Sequence, residues 1–177
     1  SPYMDLLVLQ QKCAVDGLDI SEYIDQECNL GLDLAQTFDL AALSFVFCTD
    51  DGGVSIFQRH YYPAGQFHTL PPQKQEMYTQ WEEDGHLIFT DSNSTDFEYI
   101  KDDIRWAHKM FDVKSVGYDP YAGTQMALSM EKENIDMQEV RQGFLAMSEP
   151  AKLFQKLVAD GLVKYQSSDK CFEWCIA

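Results

Sequence analysis

The chain has 177 residues, 45% of them hydrophobic, with 29 acidic against 13 basic side chains and a formal charge of -16. That length supports one domain with a real core. The charge excludes a phosphate-binding surface spread over the whole domain, because nucleic-acid affinity rests on Lys and Arg neutralising phosphates, so any DNA contact must be local, metal-bridged or shared with another domain.

Residues 2–13 are predicted to form a short amphipathic helix and 16–26 an acidic surface connection, so that 1–27 lead into a main domain at 28–177. Segments 28–34 and 40–48 read as strands, and Asp50-Asp51-Gly52-Gly53 is a hairpin turn before a third strand at 54–62, giving a three-stranded antiparallel meander. Segment 63–72, with Pro, Gly and His, is expected to be a loop and a mobile flap, followed by a helix at 75–83 and a strand at 86–90. Residues 96–111 have helical spacing, with Phe97, Ile100, Ile104, Ala107 and Phe111 on one face and Ser94 or Thr95 as cap. A strand at 113–118, a helix at 121–134 opened by Pro120, a strand at 135–140, a helix at 149–160 and a strand at 162–165 complete the order. Meander followed by alternating strands and helices predicts an α/β domain, a mixed sheet with helices on both faces.

Cys13, Cys28, Cys48, Cys171 and Cys175 are an odd count without a CxxC pair, which points away from a secreted disulfide framework or a zinc ribbon and toward a reduced, intracellular setting. No signal peptide or membrane span is visible. The chain starts at Ser1 without Met and ends at Trp174-Cys175-Ile176-Ala177 with no tail or closing turn, as expected of an excised piece.

Two aspartates stand out. Asp33 lies inside an apolar, strand-like run with no Lys or Arg within five residues, and Asp119 closes another such run. A carboxylate in a half-buried sheet must be hydrogen-bonded, paired, neutralised or placed on a metal. Alternation puts Asp33 on one face with the small residues Gly31 and Ala35, while Leu30, Leu32 and Leu34 point into the core. Asp119 is either the cap of the helix that Pro120 opens or a ligand at the carboxyl end of a parallel strand. Two such acids on neighbouring strands would make a site for Mg²⁺ or Mn²⁺, hard ions that take oxygen ligands. A pair of ions about 3.5–4 Å apart serves phosphodiester cleavage with water as nucleophile. His60, His68, His86 and His108 lack HxxxH or HExxH spacing and are expected on the surface or in loops rather than on zinc. Trp81, Trp106 and Trp174 read as core and interface anchors. Lys109, Lys114, Arg141, Lys152 and Lys156 read as solvated helix charges that would guide DNA only if they shared one rim.

Six separated motifs carry a resemblance. They are Gly31-Leu32-Asp33-Leu34-Ala35, Asp39-Leu40-Ala41-Ala42, Trp81-Glu82-Glu83-Asp84-Gly85-His86-Leu87 with Thr90, Gly117-Tyr118-Asp119-Pro120-Tyr121, Gln142-Gly143 with Met147-Ser148-Glu149-Pro150, and Trp174-Cys175. In order and spacing, over nearly the whole chain, they resemble the carboxyl-terminal nuclease domain of the large terminase subunit of tailed bacteriophages and prophages. The resemblance implies a ribonuclease H-like fold and a metal-dependent endonuclease that cuts concatemeric double-stranded DNA during packaging in the cytoplasm of the bacterial host. It implies Asp33 and Asp119 as catalytic metal ligands for Mg²⁺ or Mn²⁺. The partners it implies are double-stranded DNA, the terminase ATPase domain, the small terminase subunit and the portal protein, with no membrane. Asp39 and Asp96 match recurrent acids of the family, but Asp39 is expected to hold the turn around Thr37 and Asp96 to sit at a helix N-terminus. The family's cluster is completed by a ligand beyond the tryptophan motif, which this chain does not reach. No GxxxxGK[ST] loop of the ATPase motor is present in this piece. A truncated, inactive prophage remnant acting only as an interaction module is the alternative reading.

Overall fold

The computed structural model describes residues 3–34 and 39–177, without the side chain of Phe144. In chain order the elements are α1 (Leu6–Cys13), β1 (Ala14–Val15), a 3-10 turn at Ile20–Tyr23, β2 (Glu27–Asp33), β3 (Ala41–Cys48), β4 (Val54–Pro63), a second 3-10 turn at Ala64–Thr69, α2 (Pro72–Glu83), β5 (Leu87–Thr90), α3 (Phe97–Met110), β6 (Asp112–Tyr118), α4 (Pro120–Glu131), β7 (Met137–Glu139), α5 (Phe144–Ala159), β8 (Val163–Gln166) and α6 (Lys170–Ile176). The eight strands form one mixed sheet in the order β1-β8-β4-β3-β2-β6-β7, with β5 paired to the far end of β4. No helix among the described residues is long and apolar enough to cross a membrane.

The meander is present as expected, with β2, β3 and β4 antiparallel. Its second hairpin closes where Gly52 adopts φ +83° and the Thr49 amide donates to the Gly53 carbonyl at 3.0 Å. Gly53 has a separate reason to lack a side chain: a Cβ there would stand 2.1 Å from the Leu162 carbonyl oxygen, which accepts from the Val54 amide at 2.8 Å as β8 comes alongside. Strand β6 joins β2 in parallel and β7 joins β6 in parallel through the α4 crossover.

Alternation divides the sheet into two unlike faces. Leu30, Leu32, Leu43, Phe45 and Phe47 point to the back, where α3 lays down Ile100, Ile104 and Ala107 and α4 adds Met126 and Met130. Each fully buried isoleucine contributes roughly 1.5–3 kcal/mol. The back also buries a polar knot: Arg59 donates to Asp103 at 2.6 Å, Tyr61 donates to the same carboxylate at 2.5 Å, and the guanidinium lies 4.2 Å from the Trp106 ring. The front is covered at one end only. Val163, Tyr165 and Phe172 pack with α1 and α5, and Tyr62, Tyr78, Trp81 and Cys171 join α2 to α6. Over β2, β3 and β6 the front face carries grooves rather than a packed layer among the described residues.

Several expectations are corrected. Segment 63–72 is a folded corner rather than a free flap: Gly65 donates to Ser92 O at 3.1 Å, Gln66 to Asn93 O at 2.9 Å, and Phe67 packs on Phe89. The cap of α3 is Asp96, which accepts from the Glu98 amide at 2.9 Å, not Ser94 or Thr95. Helix α5 begins at Phe144, with Pro150 inside it rather than at its first turn. The chain also closes on a helix, α6, capped by Asp169 through the Phe172 amide at 2.9 Å, where no closing element was expected. The amino-terminal segment supplies its helix and also β1, which pairs with β8. The turn around Thr37 lies outside the described residues.

Candidate metal centre

The grooved front face is built from the smallest side chains of the sheet. In β2 the exposed row is Asn29, Gly31 and Asp33, and the parallel register sets Gly31 beside Gly117 of β6. Two residues further along each chain come Asp33 and Asp119, so the two carboxylates emerge side by side at the carboxyl ends of adjacent parallel strands. Across the meander, Asp33 is paired with Ala42 and Ala42 with His60. One row therefore runs acid, methyl, imidazole. A groove of about 330 Å³ runs from Asp33 over Gly31 and Gly117 to Gln142, and a second of about 210 Å³ runs from Asp33 over Ser44 and Gln58 to His60 and Cys175. Asp33 is common to both.

Of the two roles open at the sequence level, Asp119 is seen in that of the cap. Its Oδ1 accepts from the Tyr121 amide at 3.0 Å and caps α4, and its backbone carbonyl accepts from Gly123 at 2.9 Å. It also faces Asp33. Asp33 lies at the exposed end of β2, where it lines the groove. Its carboxyl is nonetheless raised above the usual range, first by desolvation at the base of the groove, then by the like charges of Asp119 and Asp39, against a smaller opposing effect of His60. No Lys or Arg ion pair reaches Asp33, Asp39 or Asp119 among the described residues. Three acids converging without a cation suit a hard divalent ion bound through oxygen.

Asp39 is thus brought nearer the centre than its expected capping role implied. The signal for it was its place six residues beyond the end of β2, too far for strand alternation to assign. His60 and His86 are corrections. Both are buried, at 1% and 8% exposure, whereas His68 and His108 are on the surface as expected. Lys114, Lys152 and Lys156 pair with Asp112, Glu149 and Asp160 on their own or adjoining elements, and Arg141 has no ion pair among the described residues. Trp81 and Trp106 are packed anchors as expected, and Trp174, 52% exposed, leans on Trp81.

Comparisons with known proteins bear on the family and the fold. Protein YmfN of Escherichia coli K12 is 24% identical over 96% of the chain, which spans 39% of that protein's length. The crystal structure of the HK97 bacteriophage large terminase superposes with a TM-score of 0.81 at 22% identity, over 99% of this chain and 36% of that one. The large terminase nuclease of thermophilic phage G20c, solved with bound zinc and with bound magnesium, gives TM-scores of 0.57 and 0.51 over 84% and 77% of its chain at 10% and 12% identity. These structures bear out the expected ribonuclease H-like fold at the level of architecture. The family described as terminase large subunit, endonuclease domain, matches residues 7–173, and the chain belongs to that family.

Proposed function

We propose that this domain is a divalent-metal-dependent endonuclease that hydrolyses phosphodiester bonds of concatemeric double-stranded DNA, with Asp33 and Asp119 as the ligands of Mg²⁺ or Mn²⁺. The observation that carries the reading is the uncompensated acid pair at the ends of two parallel strands, with Asp39 close enough to add to its field. Two ions bound there supply an activated water and a stabilised leaving oxygen. The chain's own residues do the positioning. Asp119 is held by its cap bond through Oδ1, which leaves its second oxygen free of that bond. Gly31 and Gly117 keep the floor of the groove bare, so a sugar-phosphate backbone can lie close to the sheet. Arg141, next in sequence to the groove residue Gln142, offers a cation for phosphate, and Tyr121, two residues beyond Asp119, is 89% exposed.

A charge of -16 gives this domain little affinity of its own for DNA. The holding force then comes from the rest of the longer subunit, with the ATPase domain, the small terminase subunit and the portal protein as partners in the bacterial cytoplasm. Plasmid cleavage in Mn²⁺ tests the assignment. Outer-shell partners of metal ligands already account for 10–100-fold, so Asp33→Asn and Asp119→Asn are expected to lower cleavage by about 100-fold or more. Asn caps a helix as well as Asp, so the second variant isolates ligation from folding. Full cleavage by either variant would remove that residue from the site.

A further inference from the structure

Beyond Ala42, on the far side of Asp33 from Asp119, lies a second cluster that the acid pair does not use. His60 is 1% exposed between Ala42 of β3 and Leu87 of β5, and neither ring nitrogen has a hydrogen-bond partner. An imidazole buried with its nitrogens unpaired has lost its hydration without a compensating partner. What faces it is α6. Cys171 and Cys175 stand four residues apart, on one side of that helix. One nitrogen of His60 and the two sulfurs all lie within 4.8 Å of one another. In a tetrahedral zinc site, with Zn–S about 2.3 Å and Zn–N about 2.0–2.1 Å, ligand atoms stand about 3.6–3.8 Å apart, so about 1 Å of side-chain adjustment closes this one.

We propose that His60, Cys171 and Cys175 form a second metal site, for a thiophilic ion of the zinc class, that staples α6 to β4. Two sulfurs and an imidazole select Zn²⁺ over Mg²⁺ or Mn²⁺, the opposite of the all-oxygen acid pair. Three protein ligands leave a fourth position on the side where Cys175 is exposed and the 210 Å³ groove opens. Loading releases the thiol protons to solvent and needs no oxidant. The approach to the ligands is fixed from behind. Asp169 caps α6 and lies 3.6 Å from His86 Nδ1, and His86 Nε2 meets the Ser168 hydroxyl at 3.0 Å. Asp33 is not a ligand: it stands two strands from His60, about 9–10 Å across the sheet. The site is independent of the nuclease reading and concerns ions of a different class.

Cobalt is the direct probe, since thiolate ligation gives Co²⁺ an intense charge-transfer absorption that oxygen ligands do not. Titration of the reduced protein is expected to give that band at one ion per chain and to lose it when Zn²⁺ is added. Cys175→Ser, at an exposed position that leaves the metal-free melting temperature unchanged, is expected to weaken Co²⁺ binding at least tenfold, and His60→Gln likewise. Cys48→Ser and Asp33→Asn are expected to leave the band intact. No charge-transfer band, or one that survives Cys175→Ser, would overturn the proposal. A band that disappears with Cys48→Ser would assign the ion to surface thiols, and one lost with Asp33→Asn would assign it to the acid pair, each equally fatal.

Discussion

Replacing Glu173 with glutamine should loosen the helix that walls the groove, and by a predictable amount. Glu173 is 4% exposed and accepts from Lys170 at 2.9 Å, from Gln10 at 3.0 Å and from the Tyr165 hydroxyl at 3.0 Å, so one carboxylate ties α6 to α1 and β8. Burial alone would raise this carboxyl, but the three donors together lower it below the usual glutamate range. Hydrogen bonds to a charged acceptor contribute about 1.5–3 kcal/mol, and the amide of glutamine would confront donors with a donor. A loss of about 2 kcal/mol corresponds to a melting temperature lower by about 4–8 °C in a domain of this size. The sign of the pH effect follows from the depressed folded value. The stabilisation is fully present above the unfolded carboxyl value of about 4.3 and is lost as pH falls through the folded value. Thermal melts of parent and Glu173→Gln should therefore be separated by a constant gap from pH 7 to about 5.5, narrowing below about 4.3. A gap that does not narrow, or a variant that melts with the parent at pH 7, refutes the reading of Glu173 as a charged, shared acceptor.

Two further substitutions test the back and the front of the sheet. Asp103→Ala removes the shared partner of Arg59 and the fully buried Tyr61 hydroxyl, and is expected to cost about 3–5 kcal/mol by urea denaturation; less than 1 kcal/mol would show that the knot is dispensable. At Gly31 a Cβ would meet nothing closer than Ser44 Cβ at 3.9 Å, so Gly31→Val should fold normally yet lower plasmid cleavage about tenfold or more by filling the groove floor, and unchanged cleavage would show that DNA does not use that groove.

Much of the frame was legible because its signals are local. The Asp50-Asp51-Gly52-Gly53 turn and the leucine alternation of β2 gave the meander, and the Asp119-Pro120 step gave the strand-to-helix junction at the centre. The carboxylates could be paired before the structure because strand alternation and a parallel crossover constrain where such ends meet. What escaped notice depends on distant partners. His60 carries no spacing signal because its neighbours, Cys171 and Cys175, are more than a hundred residues away. The four-residue step of those cysteines is a helical signal that a search for CxxC passes over. Helix α6 is only seven residues long, and its stability comes from Glu173 and Phe172 docking on other elements rather than from its own propensity. Strand β1 is two residues long and exists only by pairing with β8. The helix expected over 149–160 begins earlier, at Phe144, and Pro150 is accommodated inside it at the loss of the bond its missing amide would make.

The most direct test of the central claim is Mn²⁺ binding by calorimetry, on the parent chain and on Asp33→Asn, Asp119→Asn and Cys175→Ser. Manganese is the right ion because it prefers oxygen and should ignore the thiol cluster. Binding that both aspartate substitutions abolish and Cys175→Ser leaves intact is the expected result. Binding that survives Asp33→Asn, or a parent chain that takes up no Mn²⁺ at millimolar concentration, would mean that the two strand ends do not form a metal centre.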